Sequence, residues 1–434
     1  MLDLQSFRSP ERVEALAREL DRRGVDHRAQ LAEIADLDTT ARLKQQLSED
    51  RKRRSKEISA EVGRARKAGD LARADELSSE GRLESADQKE LELEAKSIRA
   101  RVRELLLSIP NTPAPDAPDG DGPDDNKVIR VEGPIDHWTE HQRVPHWEIG
   151  KTLRLLDPER AVRMSGSMFN MYRGEGARLT RALTSFALDS HADAWEEIRP
   201  PSFVSTATMT STGHLPKFAD EAYHIERDDL WAIPTAEVPL TSMHQGELLH
   251  EADLPIRYAA YTPCFRREAG SAGRDTRGLL RSHEFDKVEL MAFTTPEQAE
   301  DVHREILRRS EGLLRDLGVT YRVLDLCTGD LGFSNKRTFD LEAYAPGTDQ
   351  WLEVSSVSWY GDFQARRADT RYKRLDGSGT AFVHTLNGSS LAWPRVWAAL
   401  VETHRRSDGL ISVPISLQPL LGTDVLGKGA NDGP

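Results

Sequence analysis

Cysteine is scarce in this 434-residue chain. The two cysteines, Cys264 and Cys327, lie far apart, and neither belongs to a CxxC pair. Two cysteines are too few for a disulfide framework or for a four-cysteine metal site. We therefore expect both to be reduced and structural, and we expect no zinc site.

Long apolar runs are also missing. No stretch approaches the ~20 apolar residues that a membrane-spanning helix requires, and the first residues lack the basic and apolar regions of a signal peptide. The sequence thus predicts no membrane contact and a cytoplasmic location. Its 38% hydrophobic and 30% charged residues are typical of a globular protein, and its length indicates two or three domains.

Several nucleotide-binding and hydrolytic motifs do not occur. There is no GxxxxGK[ST] phosphate loop and no GxSxG elbow, and His283-Glu284 is not followed by the second histidine of an HExxH motif. Any bound phosphate would therefore have to be held by arginines and a divalent cation rather than by a glycine-rich loop.

Positive charge is concentrated in one segment. Residues 42–73 hold 11 lysines and arginines against 5 acidic residues, a local charge of +6 within a chain of net charge −13. Such a segment is compatible with a polyanionic partner such as a nucleic acid, but it is also what the solvated face of an ordinary helix looks like.

Two long helices are predicted around this basic segment. Residues 31–66 contain no proline and no glycine before Gly63, with a narrow apolar stripe, and a second such pattern runs to Leu107 after a break at residues 68–70. Neither stripe is wide enough for burial in a globular core. We expect the two helices to bury their stripes against each other as an antiparallel coiled-coil arm over about 31–108, within an N-terminal domain of residues 1–108.

The rest of the chain changes character. Prolines recur every few residues in 109–127, which predicts a linker. Short mixed elements over 128–421 predict an α+β domain built on an antiparallel sheet. The elements expected there are a helix at 176–189, a strand at 195–204 and a last helix at 394–404, followed by a flexible tail at 422–434.

The segment from 261 to 291 carries the most chemistry, and its pattern predicts strand, loop and strand. Two-residue alternation places charged and aromatic side chains on one face of the two strands, namely Arg266, Glu268, Phe285, Lys287 and Glu289. The intervening loop contains Gly270, Gly273, Arg274 and Arg277, and is expected to be flexible and to close over an anionic substrate. The alternative is that these charged side chains form the solvent-exposed face of a hairpin at the edge of the sheet.

This segment resembles motif 2 of the class II aminoacyl-tRNA synthetases, in the form found in seryl-tRNA synthetases. The segments Thr212–Phe218, Ile233–Leu240 and Thr328–Ser334 resemble the same family in the same order. The resemblance implies a class II antiparallel sheet flanked by helices, with an N-terminal helical arm that binds tRNA(Ser). It also implies ATP-dependent activation of L-serine, transfer to that tRNA, and a homodimer formed through the helix at 176–189.

The family's ATP-binding residues can be carried over where the motifs match. The resemblance implies that Arg266 binds the α-phosphate and Arg395 the γ-phosphate, as the catalytic residues. It further implies that Glu268 faces the adenine amino group and that Phe285 stacks on the adenine ring. Glu353 and Ser356 would both contact the nucleotide through a Mg²⁺ ion that bridges the phosphates, which is chemistry suited to oxygen ligands.

The serine site is implied in the same way. Its matching residues are Thr235, Glu237, Glu289, Asn387 and Ser389. An ammonium group and a hydroxyl both need fixed hydrogen-bond acceptors, which carboxylates and hydroxyls supply.

Several positions depart from the family pattern. Where the family usually has Cys-Ser-Asn and a small or medium residue, this chain has Val357-Ser-Trp359-Tyr360, and motif 3 contains Trp393-Pro394; Glu284 replaces a glutamine. Pro394 is expected to delay the last helix and to move Arg395.

These departures leave several interpretations open. The first is compensated repacking in an ordinary enzyme. A specialised paralogue, serving inhibitor resistance or secondary metabolism, is the second, and a non-catalytic tRNA-binding paralogue is the third. An enzyme that loads a carrier protein is the fourth, although it would not need the basic arm.

Overall fold

The computed structural model describes residues 1–269 and 277–428. The chain divides into two compact units, Met1–Pro110 and Asn111–Pro434. In the part of the chain that the structure describes, no helix combines the length and the apolar character needed to cross a bilayer.

The first unit is helical, as the sequence predicts. A short 3₁₀ turn precedes its three helices, which are α1 (Pro10–Asp21), α2 (Arg28–Lys67) and α3 (Leu71–Ser108). Helices α2 and α3 pack along each other as an antiparallel hairpin, and α2 alone spans about 60 Å at ~1.5 Å per residue. Gly69 makes the reversal with φ +79°, and the Asp70 side chain caps α3 by accepting from the Arg73 amide.

Ion pairs tie the two long helices together. Four of them cross from α2 to α3, namely Lys44–Glu94 (2.7 Å), Arg51–Glu84 (2.9 Å), Arg54–Glu80 (3.1 Å) and Glu33–Arg101 (3.3 Å). Apolar side chains such as Leu31, Ile34 and Ile58 are fully buried in the same unit. The narrow apolar stripe is therefore covered by the partner helix.

The second unit is built on one large sheet with helices against it. Its helices are α4 (His146–Thr152), α5 (Pro158–Ser165), α6 (Glu175–Asp189), α7 (Thr206–Thr212), α8 (Glu237–Ser242), α9 (Ala299–Asp316), α10 (Phe363–Ala368), α11 (Trp393–Thr403) and α12 (Gln418–Leu421). Its strands are β1 (Lys127–Glu132), β2 (Glu196–Glu197), β3 (Phe203–Ser205), β4 (His224–Ile225), β5 (Leu230–Ala232), β6 (Leu248–His250), β7 (Ile256–Phe265), β8 (Glu284–Thr294), β9 (Tyr321–Asp325), β10 (Arg337–Ala345), β11 (Gln350–Gly361), β12 (Arg371–Lys373), β13 (Thr380–Phe382), β14 (His384–Ala392), β15 (Ile411–Ser412) and β16 (Val425–Leu426).

The large sheet has eight strands in the order β1-β9-β10-β11-β14-β8-β7-β2. All neighbours are antiparallel except β2 and β7. The main core contains side chains of the sheet and of α6, α9 and α11, including the fully buried Leu183, Ile306 and Trp397. The predicted α+β class with an antiparallel sheet is confirmed.

The proline-rich segment is not a free linker. The Asn111 amide donates to the Phe333 carbonyl (2.9 Å), and the Thr328 amide donates to the Pro118 carbonyl (2.8 Å). Apart from a 3₁₀ turn at Pro123–Asp125, residues 109–126 form no helix and no ladder. Their carbonyls and remaining amides can still bond to neighbouring loops. Residues 111–126 thus belong to the second unit, which differs from the linker expected over 109–127.

Two further expectations need correction. The strand expected over 195–204 is reduced to β2 and β3, because Pro200 and Pro201 have no N–H to donate to a ladder. The first part of the expected flexible tail, residues 422–428, is ordered. Val425 and Leu426 pair with Ser412 and Ile411 and are buried. Residues 429–434 lie outside the described part.

Candidate active site

Four adjacent strands of the large sheet, β11, β14, β8 and β7, form the floor of a cleft. Side chains that line it include Arg266, Glu268, Arg281, Phe285, Lys287, Glu353, Ser389 and Arg395. In the β8 ladder, Phe285 lies opposite Cys264, Lys287 opposite Thr262 and Glu289 opposite Ala260. Phe285, Lys287 and Glu289 therefore succeed one another on one face of β8, as the alternation predicts.

The first strand of the motif is shorter than expected. β7 ends at Phe265, so Arg266 and Glu268 do not alternate along it. The Arg266 amide still donates to its partner in register, the His283 carbonyl (2.9 Å), whereas the Arg267 amide donates to the Glu221 carbonyl (2.9 Å), which takes the chain out of the ladder. Glu268 has φ +51°. Both side chains nevertheless reach the cleft.

The loop of this motif is described only in part. Gly270, Gly273 and Arg274 lie outside the described residues. Arg277 lies with its guanidinium carbon 5.3 Å from the centre of the Trp147 ring and lines a separate hollow.

At one end of the cleft, aromatic and charged groups lie close together. The Arg266 guanidinium is 5.1 Å from the centre of the Phe285 ring. The Glu268 carboxylate forms an ion pair with Arg281 (3.0 Å). The sequence reasoning missed Arg281; its position in the same motif, three residues before Glu284, was the available signal.

Arg395 lies in the first turn of α11, which begins at Trp393. The expected delay by Pro394 is wrong, because proline is tolerated in the first turn of a helix, where an N–H has no intrahelical partner. Arg395 Nη1 donates to the Glu353 carbonyl (2.9 Å), and Nε donates to the Leu280 carbonyl (3.2 Å). The guanidinium is therefore held at the cleft.

A β-bulge in β11 brings Glu353 and Ser356 onto one face. Glu353 pairs with Glu342, Ser355 with Leu341 and Ser356 with Asp340, so Val354 has no partner on β10. Without this extra residue, side chains three apart would point to opposite faces. The bulge also places Asp340 beside Ser356.

Asp340 is a half-buried acid that the sequence reasoning missed. Burial and the nearby Glu353 carboxylate raise the pKa of Asp340 well above its ordinary value, whereas the neighbouring Ser356 side chain opposes that rise. Among the described residues, its Oδ1 has no hydrogen-bond partner. Nor do the described residues contain a cluster of three histidine, cysteine or acidic side chains placed to hold a metal ion.

At the other end of the cleft, Glu289 is enclosed by polar groups. Thr235 Oγ1 donates to Glu289 Oε2 (2.9 Å), and Lys287 Nζ donates to Thr235 Oγ1 (2.8 Å) and pairs with Glu289. Glu289 is 1% exposed and Lys287 6%. Burial raises the pKa of Glu289, whereas the Lys287 ammonium opposes that rise.

Glu237 is the second buried carboxylate at this end. Gln364 Nε2 donates to it (2.6 Å), and Thr385 Oγ1 donates to Gln364 Oε1 (2.7 Å). Burial raises the pKa of Glu237, and the Gln364 hydrogen bond opposes that rise. Asn387 lies beside it and accepts from the Tyr360 hydroxyl (3.0 Å).

The structure therefore brings the sequence-predicted residues of the serine site together. Ser389 lies directly opposite Glu289 on β14. Lys287, Gln364 and Tyr360 were not among the predicted serine-site residues. Lys287 could have been found from its position between Phe285 and Glu289 on one face, but Gln364 and Tyr360 reach the site only through the packing of β11 and α10.

The comparisons with known proteins agree in both units. Residues 1–113 match the Seryl-tRNA synthetase N-terminal domain, and residues 221–404 match the tRNA synthetase class II core domain (G, H, P, S and T). Serine--tRNA ligases of Synechococcus elongatus and of another Synechococcus strain are 44% and 46% identical, over 99% and 98% of this chain and 100% and 99% of their own length. The chain belongs to the seryl-tRNA synthetase family.

Solved structures of this family have the same fold. Seryl-tRNA synthetase from Pyrococcus horikoshii complexed with ATP is 33% identical with a TM-score of 0.91, covering 98% of this chain and 99% of that one. The cytoplasmic serine-tRNA ligase of Naegleria fowleri in complex with AMP is 27% identical with a TM-score of 0.86, covering 98% of each chain. The predicted family, class II fold and assignment as an aminoacyl-tRNA ligase are confirmed.

Two of the aromatic departures from the family pattern pack into the core. Trp393 is 1% exposed within the main core. Trp359 packs against the same core, with its Nε1 3.4 Å from His384 Nδ1. This arrangement favours compensated repacking at these two positions. Glu284 is exposed at the start of β8.

Proposed function

We propose that this chain activates L-serine with ATP to form seryl-adenylate and then transfers the seryl group to tRNA(Ser), both at the cleft on β8. The observation that carries the proposal is the order of side chains on one face of that strand. Phe285 and Glu289 are about 13 Å apart at ~3.3 Å per residue, roughly the length of an aminoacyl-adenylate. Arginines lie at the first end and buried carboxylates at the second.

The Phe285 end would take the nucleotide. The adenine ring would stack on Phe285, and Glu268, oriented by Arg281, would accept from the adenine amino group. Arg266 would bind the α-phosphate and Arg395 the γ-phosphate, because a guanidinium fork matches phosphate oxygens. These groups are partly exposed, which leaves room for an anionic ligand to replace their present contacts.

The donor set at the bulge fits a magnesium ion. Mg²⁺ is commonly held by one or two protein carboxylates together with phosphate oxygens, so a cluster of three acidic side chains is not required. Glu353 and Ser356 share a face, and the unpartnered Oδ1 of Asp340 lies beside them. Glu353 and Ser356 would hold the ion, with Asp340 orienting Ser356. When bound, the ion would neutralise charge on the phosphates.

The Glu289 end would take serine. The ammonium and hydroxyl of the substrate need acceptors, which Thr235, Glu237, Glu289, Asn387 and Ser389 would supply. Lys287 compensates the charge of Glu289, so this carboxylate can remain ionised although it is almost fully buried. The site is therefore organised before the substrate arrives.

Catalysis would rest on alignment and charge neutralisation. The serine carboxylate would attack the α-phosphorus and displace pyrophosphate, while Arg266 and Arg395 stabilise the growing negative charge. A ribose hydroxyl at the tRNA terminus would then attack the seryl carbonyl and displace AMP. Activation requires no side chain to act as acid or base.

The arm would bind the tRNA. On α2, Lys52, Lys56, Arg66 and Lys67 are exposed, and none forms an ion pair with an acid among the described residues. Several other lysines and arginines of α2 form ion pairs with acids on α3. The unpaired four are therefore the groups best placed to contact phosphates. We further propose a cytoplasmic homodimer in which α6 contributes to the contact.

ATP–pyrophosphate exchange with a panel of amino acids tests the activation step. We expect exchange with serine well above that with the other amino acids. Exchange with no amino acid, combined with retained tRNA binding, would instead support a non-catalytic paralogue. Charging of tRNA(Ser) by the full chain then tests the transfer step, and serine exchange that persists without tRNA charging would refute it.

A further inference from the structure

Tyr360 lies at a second β-bulge of β11, next to the serine end of the cleft. Trp359 pairs with Leu386 and Gly361 pairs with Thr385, so Tyr360 has no partner on β14. Gly361 follows with φ +58°, a left-handed conformation that glycine adopts without strain. Bulges of this kind redirect a side chain. Here the redirected group is a phenol.

Hydrogen bonds hold Tyr360 at its hydroxyl and at its main-chain carbonyl. Its hydroxyl donates to Asn387 Oδ1 (3.0 Å) and is within hydrogen-bonding reach of Glu237. The carbonyl of the same residue accepts from Asn111 Nδ2 (2.8 Å). Tyr360 is 4% exposed, and burial raises its pKa well above the ordinary value. The hydroxyl is therefore a permanent neutral donor at working pH.

This donor determines how Asn387 is oriented. A carboxamide has one acceptor and one donor end, and the Tyr360 hydroxyl engages the acceptor end. This leaves the amide end of Asn387 for the neighbouring Glu237 carboxyl, and Asn387 opposes the rise in the pKa of Glu237 that burial causes. Tyr360, Asn387 and Glu237 together form a buried polar cluster. Such clusters specify which polar atoms remain available to a ligand.

We propose that Tyr360 is a specificity-determining residue of the serine site, which acts by orienting Asn387 and Glu237 toward the substrate hydroxyl. The inference rests on the proposed serine activation. A site built to bond a substrate hydroxyl rejects the analogue that lacks it, because its own polar groups would be left unpaired. Tyr360 thus sharpens the choice of serine over alanine.

The test compares Tyr360→Phe with the matched neighbour Trp359→Phe in the full chain. ATP–pyrophosphate exchange gives kcat and KM for serine and for alanine. For Tyr360→Phe we expect the KM for serine to rise about tenfold, the change that loss of one buried hydrogen bond of ~1.4 kcal/mol produces. We expect kcat to stay within about threefold and the serine-to-alanine ratio of kcat/KM to fall about tenfold. Trp359→Phe should leave that ratio unchanged.

A double-mutant cycle checks the route through Asn387. If Tyr360 acts by orienting Asn387, adding Tyr360→Phe to Asn387→Ala should change the KM for serine less than Tyr360→Phe does alone. Independent, multiplicative effects would contradict that route.

The outcomes separate the two proposals. If the wild type shows no serine exchange, the proposed function fails. If the wild type exchanges serine but Tyr360→Phe keeps both the KM for serine and the serine-to-alanine ratio, only the inference is overturned. A variant with lower thermal stability and lower kcat but an unchanged ratio would make Tyr360 structural, which also overturns it.

Discussion

The two ends of the cleft use charge in different ways. At the nucleotide end, the side chains of Glu268 and Arg281 are 18% and 24% exposed, and those of Arg395 and Glu353 are 31% and 51% exposed. At the serine end, the side chains of Lys287 and Glu289 are 7% and 1% exposed. Water screens the first set, whereas the second set depends on its own partners. The nucleotide end can exchange its contacts, and the serine end cannot do so without a large cost.

The largest effect should come from breaking the buried pair. Lys287→Met would leave Glu289 buried without its counter-ion, and removal of one partner of a buried pair costs about 3–5 kcal/mol. Chemical unfolding should show that loss, together with loss of serine exchange. The matched change at the other end is Arg281→Met, for which we expect less than about 1 kcal/mol. Equal losses at the two positions would contradict the comparison.

The next effect tests chemistry rather than stability. Arg395→Ala should lower kcat for exchange by about 10²–10³, the range seen when a single group that stabilises transition-state charge is removed. The midpoint of thermal unfolding should change little, because Arg395 is partly exposed. Arg366→Ala removes an arginine that pairs with Asp362 at 2.8 Å and should leave kcat unchanged. A similar fall in both variants would argue against a specific role for Arg395.

A smaller effect depends on pH. Burial raises the pKa of Glu237 in the folded chain, so its contribution to stability is fully present below the unfolded pKa of about 4.3 and is lost as pH rises through the folded pKa. Glu237→Gln cannot ionise. We therefore expect wild-type stability to fall relative to that of Glu237→Gln as pH rises from about 4.3, measured by urea unfolding at several pH values. A constant difference would contradict the raised pKa.

The smallest effect per residue should come from the arm. Neutralising Lys52, Lys56, Arg66 and Lys67 should weaken tRNA charging and lower the salt dependence of tRNA binding. The slope of the logarithm of the binding constant against the logarithm of the salt concentration should become shallower by roughly 0.9 for each phosphate that these cations no longer neutralise. ATP–pyrophosphate exchange in the same variant serves as the control and should stay within about twofold. An unchanged salt slope would show that these four cations do not bind the tRNA.

Local sequence patterns predicted much of the fold. The arm helices follow from apolar spacing and from the glycine at residue 69, and the face of β8 follows from alternation of Phe285, Lys287 and Glu289. The first motif strand was predicted too long, because the chain leaves the ladder at Arg267, whose amide donates to the Glu221 carbonyl, and no local pattern reveals that partner. The order at residues 111–126 and 425–426 likewise depends on distant partners.

The sequence by itself determined the family, the helical arm and most of the residues that meet in the cleft. Only the tertiary structure decided how they meet. The bulge at Val354 places Glu353 and Ser356 on one face beside Asp340, and the bulge at Tyr360 directs a phenol toward Asn387. Both depend on strand register between segments that are not adjacent in the chain, and one inserted residue in a ladder reverses every later side chain. The alternation of side chains along one strand does not show where a β-bulge shifts its register with the partner strand.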